Sequence, residues 1–489
     1  MLLGLDVGTT NAKAVLVDAR GNVAARGAAP VSLRHGLGGA VEQDMGEIIA
    51  AARSAVRQAG AAAERAAVRA VGISAQGGAL QLLDARGRPD GPVISWLDGR
   101  ARAQNRRAVD ALGREEFLRR TGFAQGAMAL GQLLRLREES PDRLAEPNAV
   151  GFVGDVVVAH LCGRRAHDAT SLSCAVLLNP ALGQADPEVL RLAGIREGQL
   201  PDLLSARTPA GGLLPGPAEA LGLPAGVPIA PAVHDQYAAA LGVGATAAGD
   251  VMFSAGTAWV LLAASDRPAP PAARSAFVCT HLVEGLYGQI LSMVNGGSAV
   301  SWALELTGQA GADEGRVEEL LGSVPAGSHG ARFRPWLSAS PPAGVAAEAA
   351  GALEGLRLGH GPAHVLRAVV EGLAMELARH VRLLAEAGVP VRRLVMCGGG
   401  ARGRATPQVV ADATGLPVDC AAVGDAAALG AAMIARGLLE AGRPLAEIAA
   451  EMRPGVRPAH PGPDRELYRR MFEEHLARLP RPADEGDEA

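Results

Sequence analysis

Short apolar runs broken by glycine-bearing turns open the chain. Leu2 to Val7 is one such run, Gly8-Thr9-Thr10-Asn11 interrupts it, and Ala12 to Val17 resumes it. Asp18-Ala19-Arg20-Gly21 then turns the chain into a third run around Asn22 to Arg26, so the first thirty residues read as a meander. Helical spacing follows from Met45 to Ala59, and Val68 to Ile73 is again strand-like ahead of Gly77 and Gly78. Strands alternating with helices predict an α/β fold.

A similar start recurs near the middle. Gly249-Asp250 leads into the apolar Val251 to Phe253, the turn Ser254-Ala255-Gly256-Thr257 follows, and Trp259 to Ala263 is apolar again. Two hairpins of this kind, each opening one half, suggest a duplicated architecture. The Gly/Ala-rich stretch over 242–249 suits a hinge, which divides the chain into 1–245 and 246–479. Residues 480–489 turn acidic and are expected to be a disordered tail. Pro268 to Pro271 and Pro335 to Pro342 read as surface loops.

Composition narrows the function classes. Of 489 residues, 48% are hydrophobic and 20% charged, which is a globular balance. A net charge of -4, without a Lys/Arg run, gives no footprint for nucleic acid. Cys162, Cys174, Cys279, Cys397 and Cys420 are scattered and odd in number, which favours a reducing, cytoplasmic setting. The start lacks the basic region and cleavage site of a signal peptide, and no run of 18 apolar residues suggests a membrane span.

Several segments carry candidate chemistry. In Asp6-Val7-Gly8-Thr9-Thr10-Asn11-Ala12-Lys13, a strand-end carboxylate can face hydrated Mg²⁺, Gly8 lets the backbone approach anionic oxygens, and two hydroxyls with Lys13 can reach phosphates. Ser254-Ala255-Gly256-Thr257 would be the matching cradle from the second half; either turn alone is also an ordinary hairpin. Gly398-Gly399-Gly400-Ala401-Arg402-Gly403, with Asp419 further on, fits a dinucleotide fingerprint on paper. Thr406-Pro407 reads as the helix start, however, whereas in that fingerprint the glycines run directly into the helix. Asp235, after the apolar run Val227 to Val233, suits a general base at a strand end, or a helix N-cap. His234-Asp235 also suits a metal phosphohydrolase, but the other histidines lack the spacing to complete one. His360 and His364 have no third ligand near in sequence. Trp96, Asp98 and Arg100 offer a stacking face, an acceptor and a fork donor for a polyol.

Together these segments resemble, in order and over the whole chain, the FGGY family of carbohydrate kinases, most closely its xylulokinase branch. Leu5 to Thr10 resembles the first phosphate motif, Ser254 to Thr257 the second, and Gly398 to Arg402 the adenosine motif. Asp425 to Ala432 resembles the helix that closes the nucleotide site, and Gly351 to Leu356 with His364 to Glu371 matches the C-terminal signature.

The resemblance implies two actin-like (ribonuclease-H-like) domains around a cleft, and an ATP- and Mg²⁺-dependent transfer to a hydroxyl of a ketose or polyol, D-xylulose or a related sugar. It casts Asp235 as the base, with Asp6 and Asp235 at the metal. Gly8, Thr9, Thr10, Asn11, Lys13, Gly256, Thr257, Gly297, Gly399, Gly400 and Ala401 would hold the nucleotide. Gln76, Gly77, Gly78, Trp96, Asp98 and Asp235 would meet the sugar. Partners are then small molecules, neither nucleic acid nor membrane, and assembly as a homodimer is allowed. A regulatory sugar-binding relative and an actin-like ATPase are the alternatives.

Three departures bear on specificity. Gly77-Gly78 stands where typical xylulokinases carry a Met-His pair, so a roomier pocket is expected. Gln132 and Arg135 replace Lys and Trp of the N-terminal signature, and Ala339 to Ala343 replaces a charged loop.

Overall fold

The computed structural model describes residues 1–293, 295–337, 345–346, 349–421 and 423–480. Residues 481–489 of the expected tail, and the loop Ala339 to Ala343, lie outside them.

The opening meander forms as expected: Leu2–Val7, Asn11–Val17 and Val23–Pro30 pair antiparallel in sequence order. Leu2–Val7 then pairs parallel with Val71–Ala75, which pairs parallel with Pro228–His234. The second half repeats this plan. Asp250–Ala255 pairs antiparallel with Trp259–Ser265, and that strand with Tyr287–Ser292. On its other side Asp250–Ala255 pairs parallel with Arg393–Cys397, and that strand parallel with Val418–Ala421. Each sheet thus contains three antiparallel strands continued by parallel ones, the second being extended by an antiparallel strand at each edge, Phe277–Thr280 and Val456–Ala459, and this is the duplication that the two Gly-Thr hairpins suggested.

The central strands are apolar on both faces because helices cover both. All five residues of Val71–Ala75 are buried. One face of the first sheet receives helix Met45–Gln58, capped by Asp44, whose carboxylate accepts from the Glu47 N–H at 2.9 Å.

The other face receives an element from far along the chain, the Ala-rich helix Ala426–Leu439. A Cβ on Gly4 would lie 1.8 Å from the Ala428 carbonyl oxygen, and one on Gly72 only 1.7 Å from that of Ala431. Gly430 of the same helix backs onto helix Asp235–Gly242, where a Cβ would lie 1.7 Å from the Ala238 oxygen. Small residues let backbones meet where side chains would hold them apart. The helix therefore belongs by sequence to 246–479 but by packing to the first sheet, and it forms the seam between the halves.

In the second half, helix Pro362–Glu386 runs through the core with Pro at its first turn. Glu371, within the C-terminal signature, is buried there and accepts hydrogen bonds from the Gly327 N–H, Ser328 Oγ and Tyr468 Oη. The signature glutamate is an anchor for the packing of this half.

Candidate active site

Parallel pairing aligns three strand ends. Asp6 and Val233 both register with Ser74, and His234 registers with Ala75. Asp6, Gln76 and Asp235 therefore gather at the carboxyl edge of one sheet, where α/β folds bind ligands. Burial, and then the charge of nearby Asp235, pushes the Asp6 carboxyl up to about 7, although Ser74 Oγ donates to Asp6 Oδ1 at 2.9 Å. Burial pushes Asp235 up to about 6. Asp235 is the first residue of helix Asp235–Gly242, and His234 holds the cap position. Its carboxylate is not used as an N-cap, and its side chain is 25% exposed.

The Gly8-Thr9-Thr10 turn is held by a closed ring of bonds. Thr9 Oγ1 donates to Gln76 Oε1 at 3.1 Å, Gln76 Nε2 to Gln43 Oε1 at 2.9 Å, and Gln43 Nε2 to the Thr9 carbonyl at 2.8 Å. Trp96 Nε1 donates to Thr9 Oγ1 at 2.9 Å, and its ring remains 42% exposed. Thr10 and Asn11 are exposed at the tip. Lys13 lies 3.4 Å from Asp425, which also pairs with Arg26 and stands at the head of the seam helix.

The second half contributes a cavity of about 530 Å³ lined by Gly256, Thr257, Gly297, Gly399, Gly400 and Arg402, among others. Its floor is tied together, since the Gly297 N–H donates to the Gly256 carbonyl and the Ser298 N–H to that of Thr257. Gly398 has φ 86 and leads into a short turn, Gly399–Ala401, before helix Ala405–Thr414 begins. The glycines do not open that helix directly, and Asp419 is engaged by Arg393 at 2.7 Å. A dinucleotide fingerprint would need the opposite on both counts. The volume suits a small-molecule ligand.

Some expected residues sit elsewhere. The Asp98 side chain is closed to solvent, and its oxygens accept from the Val41 N–H, Arg100 and Gln132 Nε2. In this arrangement it orders the loop behind Trp96 and presents no free oxygen to the cleft. Ala401 is buried in the second core and does not line the cavity. The roomier pocket at Gly77-Gly78 is not observed. A Cβ on Gly77 would lie 2.3 Å from His234 Cδ2 and 2.4 Å from Cys174 Sγ, and one on Gly78 would lie 3.1 Å from Met128 Cβ. Other side chains already fill that space. Gln43 and Met128 were not anticipated at the site, and His234 only as half of a His-Asp pair; Gln43 is fully buried at the end of the short strand Val41–Gln43.

Each half thus presents a Gly-Thr turn, and the first adds carboxylates at its strand ends. Residues 1–242 match the N-terminal domain of the FGGY family of carbohydrate kinases and residues 251–436 match its C-terminal domain. The chain belongs to that family. It is 28% identical over 491 residues to the xylulose kinase of Escherichia coli strain K12, covering 97% of this chain and 99% of that one. It is 32% identical over 490 residues to the glycerol kinase of Thermus brockianus, covering 96% of each. The crystal structure of xylulose kinase from Rhodospirillum rubrum superposes with a TM-score of 0.85 at 26% identity, over 97% of both chains. The fold is accordingly two actin-like domains, and the activity is ATP-dependent phosphorylation of a carbohydrate hydroxyl. Among the described residues no helix is long and apolar enough to cross a membrane.

Proposed function

We propose that this kinase phosphorylates a ketose or polyol, D-xylulose or a related sugar, and that Asp235 is its general base. The observation that carries this reading is Asp235 itself, a partly exposed carboxylate at the edge shared by Asp6 and the Thr9–Gln76 ring. The acceptor hydroxyl would enter beside Asp235. As its oxygen forms a bond to the γ-phosphorus, the bond to the ADP oxygen breaks and Asp235 takes the hydroxyl proton. The Gly8-Thr9-Thr10 turn, with Asn11 and Lys13, would hold phosphates from one side, and Gly256 and Thr257 from the other. Gly297, Gly399 and Gly400 would face the rest of the nucleotide.

The donor set at Asp6 and Asp235 fits Mg²⁺. The charge of Asp235 raises the proton affinity of Asp6, and a divalent cation would relieve that repulsion. Among the described residues no cluster of three or more His, Cys, Asp or Glu could hold a metal, so waters and phosphate oxygens would complete a Mg²⁺ shell. Bound there, the ion would offset charge building on the phosphate oxygens. Five free cysteines support a cytoplasmic setting.

The experiment is ADP release from Mg-ATP, with and without a panel of pentuloses, hexuloses and polyols. Release that rises with one pentulose far more than with glycerol supports the reading. Strong preference for glycerol would replace the acceptor, and release indifferent to every sugar would point to an ATPase.

A further inference from the structure

Two glycines at the acceptor edge have no side chain, and His234, Cys174 and Met128, from distant segments, occupy the space beside them. The His234 imidazole lies where a Gly77 side chain would point, since an added Cβ would fall 2.3 Å from its Cδ2 and 2.5 Å from its Nε2. Contacts that short do not occur between real atoms, so a side chain at position 77 and this His234 conformation exclude each other. Met128 stands in the same way beside Gly78, with Cβ and Cγ 3.1 and 3.2 Å from an added Cβ.

Neither residue is placed there cheaply. Met128 has φ 51, a left-handed conformation that costs about 1 kcal/mol or more for a residue with a side chain. Such strain persists where the surroundings impose it, and it concentrates at functional sites. His234 is 5% exposed, and its Nδ1 has no hydrogen-bond partner among the described residues. Its Nε2 is better placed, 3.4 Å from Asp235 Oδ1 and 3.5 Å from Cys174 Sγ. With its contacts on one side only, the ring presents Nε2 to Asp235 and Cys174.

We infer that His234 and Met128 form the wall of the acceptor pocket beside Gly77-Gly78, so that these two residues select the acceptor and His234 positions Asp235. The inference rests on the reading of this edge as the acceptor site. A sugar entering here meets an imidazole edge and a thioether where the bare glycines alone would leave open space. His234 is a positioning residue, acting through Asp235, and Met128 is a specificity residue.

The test is a mutant cycle between Gly77→Ala and the pair His234→Ala with Cys174→Ala, with His234→Ala and Met128→Ala alongside. It reads kcat and KM for acceptor and for ATP across the sugar panel, together with thermal melting. Gly77→Ala alone should raise the acceptor KM about tenfold or more while the ATP KM stays within about twofold. The same change made in a His234→Ala, Cys174→Ala background should cost less than about threefold, because both side chains that meet the added methyl are then cut back. His234→Ala and Met128→Ala should each reorder the preference among acceptors. Equal effects of Gly77→Ala in both backgrounds, or an unaltered order in both wall variants, would overturn the inference. If Gly77→Ala does not fold, the acceptor order of His234→Ala and Met128→Ala decides alone. Asp235→Asn retaining sugar-dependent turnover would instead remove the assignment of the base, while the cycle still judges the wall.

Discussion

Trp96 donates its indole N–H to Thr9 Oγ1 at 2.9 Å, which ties a residue expected at the sugar to the turn expected at the phosphates. The Thr9 hydroxyl passes the connection on to Gln76, and Gln76 to Gln43. One side chain thus braces the Gly8-Thr9-Thr10 turn while remaining 42% exposed.

Trp96→Phe keeps a ring and removes the donor. A hydrogen bond of this kind contributes about 0.5–1.5 kcal/mol, so kcat/KM for ATP should fall roughly two- to tenfold. The acceptor KM should stay within about twofold. Steady-state kinetics with each substrate varied in turn checks this; a change confined to the acceptor KM would show that the indole N–H does not brace the turn.

The raised pKa values set the pH dependence. Asp235 must be ionised to accept a proton, and burial pushes it up to about 6. Sugar-dependent kcat/KM should therefore be level above pH 7 and fall about tenfold per unit below about pH 6. A profile flat to pH 4.5 would contradict the assigned base.

Asp6 has a stability consequence of definite sign. Its folded pKa of about 7 lies above the ordinary 3.8, so the fold favours the protonated form. Its contribution to stability is present in full below about pH 4 and is lost as pH rises through about 7. In metal-free buffer, Asp6→Asn should melt at a higher temperature than the parent at pH 8, the gap narrowing towards pH 5, while turnover is lost. A lower melting temperature at pH 8 would show that Asp6 stabilises the fold.

Gly430 tests the seam. A Cβ there would collide with the Ala238 carbonyl in the helix that begins at Asp235. Overpacking of this kind costs about 1–3 kcal/mol. Gly430→Ala should lower the urea midpoint and also kcat, because the displaced helix carries Asp235, the proposed base. Loss of stability with kcat intact would show that the seam does not position Asp235.

The hairpins were legible because Gly8-Thr9-Thr10 and Gly256-Thr257 interrupt runs too apolar to be anything but buried strands. Their equivalence was legible because both halves repeat the interruption in the same place. The packing of helix Ala426–Leu439 on the first sheet was not, since Gly4 and Gly72 reveal a close approach only when the partner backbone is known. Thr406-Pro407 suggested a helix start slightly late; the helix begins at Ala405, with Glu318 accepting from the Arg404 and Ala405 N–H groups. The sugar edge was misread as open for the same reason. Absence of side chains at Gly77 and Gly78 says nothing of what His234 and Met128 bring in from elsewhere.

The central claim is that Asp235 removes the acceptor proton, and Asp235→Asn tests it most directly because it keeps the shape and loses the charge. Acceptor and Mg-ATP binding should persist by calorimetry while sugar-dependent ADP release falls by about 10²-fold or more. Release within about threefold of the parent, with binding intact, would contradict the account.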